Sequence, residues 1–291
     1  MTFSPLIFFL VIFSFVSTFD PSTFNYCDFK CNETVEHTAC KCEVEPPLEL
    51  LVKRIASFRR KILDIHNEAR NTVASGMAQH KNTFVPEASN MRVMNYDLEL
   101  EYIAKCYAGK FTGTKDSCRK THNNLKEGLV GQLLGGITFR SDDPHEWTNY
   151  WYDEISYFDD ESVTVTRISQ MIWADTDLIG CAKSYTPKPF EHKQFETVFH
   201  WSFILVCNYG STSENITGQA TVGKPIYARG RACSACPSGL TCETEKYPAL
   251  CGKLLPVPTY DLNKKSSQSK QSSSSAFFVL NAAFLVFTIF Y

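Results

Sequence analysis

Read for the spacing of apolar and polar positions, the chain divides into helical stripes, alternating strands and two loop-rich ends. Leu51, Ile55, Phe58, Ile62, Ile65, Ala69 and Val73 recur at three- and four-residue steps. That predicts a long helix with one apolar face, closed by Gly76. A second helix is predicted from about Asp97, with Leu100, Ile103, Ala104, Tyr107 and Phe111 on one face. Residues 109–136 are rich in Gly, Asn and Lys and read as a loop. A third helix starts cleanly, with Asp143 as N-cap, Pro144 at the first position and Glu146 at the third. Trp147, Tyr150, Trp151, Glu154 and Ile155 follow at helical spacing. Residues 166–184, TRISQMIWADTDLIGCAKS, predict a short helix ending near Trp173, a polar ADTD turn, and a strand from Leu178 to Tyr185. The apolar run from Phe199 to Tyr209 predicts a facing strand, and Gly218–Tyr227 reads as a turn with a short extended piece.

Two facing strands that carry Cys181 and Cys207 predict a stapled hairpin in an oxidising compartment. The chain has 12 cysteines, enough for six disulfides, although spacing alone leaves the connectivity open. Residues 3–16, FSPLIFFLVIFSFV, followed by Ser17 and Thr18, read as a secretory signal peptide over 1–18, with an uncleaved anchor as the alternative. Either delivers the cysteines to an oxidising space, which disfavours zinc ligation at Cys233, Cys236, Cys242 and Cys251. Those four are read as two local disulfides, with Cys233–Cys242 and Cys236–Cys251 as the arrangement adopted and the pairing open. With 291 residues and a formal net charge of -2, the chain supports a sizeable core and offers no basic surface for nucleic acid.

The two ends differ from the body. Segment 19–47 is loop-rich, and its four cysteines must fasten it down, because it cannot bury a core alone. Asn32 and Asn215 head glycosylation sequons. Residues 253–275 form a polar linker, and 276–291 an apolar tail without a basic stop. Small residues at Ser266 or Ser267, a polar spacer and that tail match a GPI-attachment signal, with a tail-anchored transmembrane helix as the runner-up. Between the ends, 48–228 forms the main domain and 229–252 a cysteine-rich extension.

Several segments carry a family resemblance. RISQMIW followed by GC, then ILVCNYG, resembles the two signature segments of the CAP superfamily of cysteine-rich secretory, antigen 5 and pathogenesis-related proteins. HNEARNTVASG and MRVMNYDLELEYIAKC are similar to the insect antigen 5 branch in particular. The resemblance runs from about Cys27 to Cys251. It implies an α+β fold: a three-layer α/β/α sandwich with a small, mainly antiparallel sheet between helices and a cleft on one face. It also implies Cys27–Cys40, Cys31–Cys118 and Cys42–Cys106, tying the first segment down.

Many family members place two His and two Glu in the cleft, a set able to hold zinc. Carried over by position, these fall on Lys115, Gln132, Glu154 and Arg167, so Glu154 alone survives. Lys and Arg are cations that do not ligate a divalent ion. Glu154 lies on an aromatic helix face, where a carboxylate needs a partner, which singles it out among the acidic residues. The reading is therefore an ion pair with Arg167, no metal, no cofactor and no catalytic residue. His66 reads as a hydrogen-bonded histidine at the edge of the first helix. His122, on its loop, is able to swing towards the cleft but makes a weak metal site with one Glu. Ser169 lies near Arg167 and no His, and no GxSxG segment exists.

The function expected is a non-enzymatic extracellular CAP protein held at a cell surface through its C-terminal anchor. The resemblance implies a lipid ligand such as a sterol or fatty acid. A long apolar groove favours that ligand. The alternative is a cell-surface protein partner at the Cys233–Cys251 end, favoured by an exposed apolar patch near Tyr227 or Tyr247. A metal-dependent hydrolase is the least favoured reading. The pattern does not specify an oligomeric state.

Overall fold

The structure is a computed structural model that describes residues 19–42, 55–110, 114–122, 129–137, 148, 151–157, 166–185, 190–192, 197–199, 203–213, 216–260 and 262. The signal-peptide region, the start of the third helix at Asp143, the sequon Asn215, and the tail with Ser266 and Ser267 lie outside these residues.

The first apolar stripe forms α1, Ile55–Ala74, which buries Phe58, Ile62, Ile65, Ala69 and Val73. Gly76, at φ 69°, turns the chain after it in the left-handed region that glycine adopts freely. A small hairpin follows, β1 (Gln79–His80) with β2 (Thr83–Phe84). After β3 (Asn95–Tyr96), Asp97 caps α2, Leu98–Gly109, by accepting from the Leu100 N–H at 2.7 Å. Thr166 and Ser169 form a reciprocal capping box on the short α3, Arg167–Met171.

Four strands make the central sheet, in the order β3, β5 (Leu178–Tyr185), β8 (Phe203–Gly210) and β4 (Gly131–Ile137). β5–β8 and β8–β4 are antiparallel, and the two-residue β3 runs parallel to β5. β6 (Phe190–His192) and β7 (Thr197–Phe199) form a separate two-stranded ribbon.

The period of two sorts the strand side chains into layers. Leu205, Cys207 and Tyr209 of β8, with Ile179 and Cys181 of β5, join the α1 side of the core. Ile204 and Val206, with Ala182, face Ala104, Tyr107 and Ala108 of α2. This is a three-layer sandwich of mixed helix and sheet, as the resemblance implies.

One reading of the sequence needs correction. Residues 109–136 are not all loop, because Gly131–Ile137 is β4, a strand of the central sheet. Its glycines serve packing: a Cβ on Gly135 would stand 3.2 Å from the Trp151 ring. Of the run Phe199–Tyr209, Phe199 is described in β7 and Phe203–Tyr209 in β8, and 200–202 lie outside the described residues.

All six disulfides are formed among the 12 cysteines: Cys27–Cys40, Cys31–Cys118, Cys42–Cys106, Cys181–Cys207, Cys233–Cys242 and Cys236–Cys251. Cys181 and Cys207 are direct partners in the β5–β8 register, with Cα atoms 4.1 Å apart. The N-terminal segment is tied to α2 and to the 114–122 loop by two of these bonds. It adds its own small core of Tyr26 and Ala39 against Ile103 and Cys106.

Candidate functional site

Glu154 sits in a 3₁₀ turn, Asp153–Tyr157, that follows the helical residues Trp151 and Tyr152. Trp151 is buried and fixes this turn against the core, so the Glu154 carboxylate is held over the start of α3. There it accepts the Arg167 N–H at 2.7 Å, the Ile168 N–H at 3.4 Å and the Arg167 guanidinium. One carboxylate thus satisfies two orphan donors of a helix start and one cation. Both partners are partly open to solvent, Arg167 at 40% and Glu154 at 24% side-chain exposure.

Gln132, in β4, is buried. Its Nε2 donates to Asn208 Oδ1 at 3.0 Å and its Oε1 accepts the Asp116 N–H at 3.1 Å. That second bond anchors the loop carrying Lys115 beside β4, and Lys115 itself is exposed. Gln170 of α3 ties the arrangement together. A Cβ on Gly131 would lie 2.5 Å from its Oε1, which accepts from Ala220, while its Nε2 donates to the Gly218 carbonyl. The start of β4 therefore has Gln132 and the Lys115 loop on it and α3 against it.

The donor set does not fit a divalent ion. Two of the four positions are cations, and the amide oxygen of Gln132 and the carboxylate of Glu154 are already engaged. Cys233, Cys236 and Cys242 bring their sulfurs within 4.8 Å of one another, but all three are disulfide-bonded and supply no thiolate.

The histidines are placed by the fold. His122 does not serve the cleft: its ring pairs with the buried Glu99, its N–H donates to Glu99 at 3.0 Å, and it stacks on Phe24. His66 is not at a helix edge but fully buried. Nδ1 lies 2.7 Å from the Ile62 carbonyl and Nε2 2.8 Å from the Tyr209 hydroxyl. Burial lowers its pKa to about 4, so it is neutral at pH 7. Ser169 is spent on the capping box of α3.

Glu154 is also not the most buried acidic residue. Glu101 makes a bidentate pair with Arg59, at 2.7 and 2.6 Å, with the Arg59 side chain 0% exposed. Glu99 accepts from the Tyr26 hydroxyl at 3.0 Å. Arg70 is buried and donates to the carbonyls of Arg92, Met171, Trp173, Ala174 and Thr176, gathering the signature turn around α1. The signal for Arg59 and Arg70 was their place beside the apolar stripe of α1. Glu99 and Glu101 lie in the polar slots of an apolar helix, which spacing reads as solvent-facing.

Comparison with known proteins fixes the family. The model of the cysteine-rich secretory protein family, CAP, matches residues 63–209. The chain belongs to the CAP family. Venom allergen 5 of Vespula maculifrons is 28% identical over 227 residues, covering 72% of this chain and 94% of that protein. Venom allergen-1 of Aedes aegypti is 29% identical over 248 residues, covering 78% of this chain and 87% of that protein. Among solved structures, Na-ASP-1 superposes with a TM-score of 0.51 at 25% identity, over 67% of this chain and 47% of that one. This chain thus spans about half of Na-ASP-1. In this CAP domain, the signature segments are the turn gathered by Arg70 and the stapled β5–β8 pair.

Proposed function

We propose that this CAP protein works outside the cell as a non-enzymatic binding module whose cleft has exchanged metal ligation for an ion pair. The observation that carries the reading is Glu154, whose carboxylate is occupied by two backbone donors and the Arg167 guanidinium. A carboxylate so engaged, beside a guanidinium, stands in an electrostatic setting that disfavours a divalent cation. Disulfides throughout the described body support an oxidising, extracellular setting. Calorimetry of the native chain with zinc tests it. We expect no stoichiometric binding, and zinc affinity to arise in a Lys115→His, Gln132→Glu, Arg167→His triple variant. Tight binding by the native chain would refute the reading and reopen hydrolysis.

The ligand favoured is a small lipid, such as a sterol or fatty acid. The alternative is a partner at the cysteine-rich end, to which neither tyrosine side chain adds an exposed apolar surface. Tyr227 and Tyr247 are buried, the first donating to the Pro86 carbonyl and the second to Asp64. Native mass spectrometry of protein secreted from cells is the check, and a consistent lipid adduct is expected. Among the described residues, no helix is long and apolar enough to cross a membrane. A GPI anchor at Ser266 or Ser267 is our reading of the tail, so a phosphatidylinositol-specific phospholipase C should release the protein from cells.

A further inference from the structure

A cavity of about 460 Å³ opens beside the turn that follows α3. One wall is Ala174 and Asp175, and the other is the segment Pro225–Arg229, with Asn90 between them. Its size falls in the range of small-molecule sites, which runs from about 300 to 1,000 Å³.

The walls are held in place without any ligand. Ala174 donates its N–H to the Ile226 carbonyl at 2.9 Å, joining the two walls directly. The Ala228 N–H donates to Asn90 Oδ1 at 2.8 Å, and the Tyr227 hydroxyl to the Pro86 carbonyl at 2.9 Å. Arg70 grips the Trp173 and Thr176 carbonyls on either side of the turn. Such a site is preformed, so a ligand need not meet the cost of ordering it.

Its chemistry selects a ligand class. The Asp175 carboxylate is partly buried, lines the cavity and has no hydrogen-bond or ion-pair partner among the described residues. It offers acceptors that call for O–H or N–H donors. Asn90 uses its Oδ1 on Ala228, which leaves its amide N–H groups as donors. Ile226 and Tyr227 add an apolar floor. Both signs stand at this site: Asp175 lies in the field of the buried Arg70 guanidinium, and Arg229 lines the same cavity. An ammonium ligand would meet those two cations, and an anion would meet Asp175. A neutral ligand with hydroxyls meets neither.

We propose that this cavity is a binding site for a neutral polyol, the sugar ring of a carbohydrate. Asp175 would accept from its hydroxyls, Asn90 would donate to its oxygens, and its C–H face would rest on Ile226 and Tyr227. This site is separate from the cleft, so it stands whether or not the lipid reading does.

Ligand-observed NMR on the full secreted chain, with methyl hexopyranosides and N-acetylhexosamines, tests the proposal. A parallel glycan array separates a free sugar from a larger glycan. We expect saturable binding in one arm, weakened at least tenfold by Asp175→Ala, a substitution that removes no described side-chain hydrogen bond. Ala228→Phe, which fills the cavity from its exposed rim, should abolish binding while leaving the thermal midpoint in place. Binding that survives both variants would overturn the proposal. So would silence in both arms, or selective binding of small amines by the native chain.

Discussion

At the scale of single residues, the decisive contrast is between two carboxylate–arginine pairs. Glu101 and Arg59 are sealed, at 8% and 0% exposure, whereas Glu154 and Arg167 are partly wet. Breaking a buried pair strands a charge and costs about 3–5 kcal/mol, while an exposed pair contributes below about 1 kcal/mol. Glu101→Ala should therefore destabilise the chain several times more than Arg167→Ala in denaturant titrations. Equal losses would show the two environments to be alike. A second residue-scale test concerns pH. Burial raises Asp97 to about 6 and lowers His66 to about 4. The raised Asp97 contributes stability below its unfolded value of about 4, and that contribution is lost as pH climbs through 6. The depressed His66 acts oppositely: its contribution is present above about 6.5 and lost as pH falls towards 4. Asp97→Asn keeps the cap on α2 and deletes one slope. Between pH 4 and 6, its unfolding free energy should climb above the wild-type curve by about 3 kcal/mol in total, from a shift of about two units. Parallel curves would refute the Asp97 titration. The Glu154–Arg167 pairing was legible because a carboxylate among aromatics needs a partner. The Glu101–Arg59 pairing was not, because its members are 42 positions apart in the chain and only the folding of α1 and α2 around the central sheet joins them.

At the scale of elements, helices were easier to read than strands, and β4 shows why. A helix repeats its pattern over many residues, as α1 does over 20. A strand among glycines carries little pattern of its own, and β4 is a strand because β8 supplies its ladder and Trp151 needs Gly135 beneath it. Gly180 in β5 is a related case. A Cβ there would lie 2.2 Å from the Glu101 backbone nitrogen and 2.5 Å from the Asp97 carbonyl oxygen. Neither backbone atom can yield without moving α2. Gly180→Ala should cost about 3 kcal/mol, the upper end of ordinary overpacking, and lower the melting midpoint by about 6–12 °C. An unshifted midpoint would mean that α2 lies further from the sheet than it does here.

At the scale of the whole molecule, the last described segment acts as a strap. Leu254, Val257 and Tyr260 pack on the core, and Asn95 bonds the Lys253 carbonyl and the Leu255 N–H. Arg59 donates to the carbonyls of Pro258 and Tyr260, and the Tyr260 hydroxyl reaches the Phe19 carbonyl. Truncation after Gly252 would leave the buried Arg59 short of two charge-assisted bonds, each worth about 1.5–3 kcal/mol. The shortened chain should unfold at least about 3 kcal/mol more easily, and wild-type stability would show the strap to be idle. The sequence by itself determined the fold family, the helices α1 and α2 and the covalent setting, because these rest on local periodicity and on motifs carried by contiguous residues. It also carried the reading that two cations, Lys115 and Arg167, stand where the resemblance puts the family's histidines. Tertiary structure alone decided that Glu99, Glu101 and Arg70 are interior and that His122 faces Glu99. It alone shaped the cavity beside Asp175, because each of these depends on surfaces brought together from distant parts of the chain.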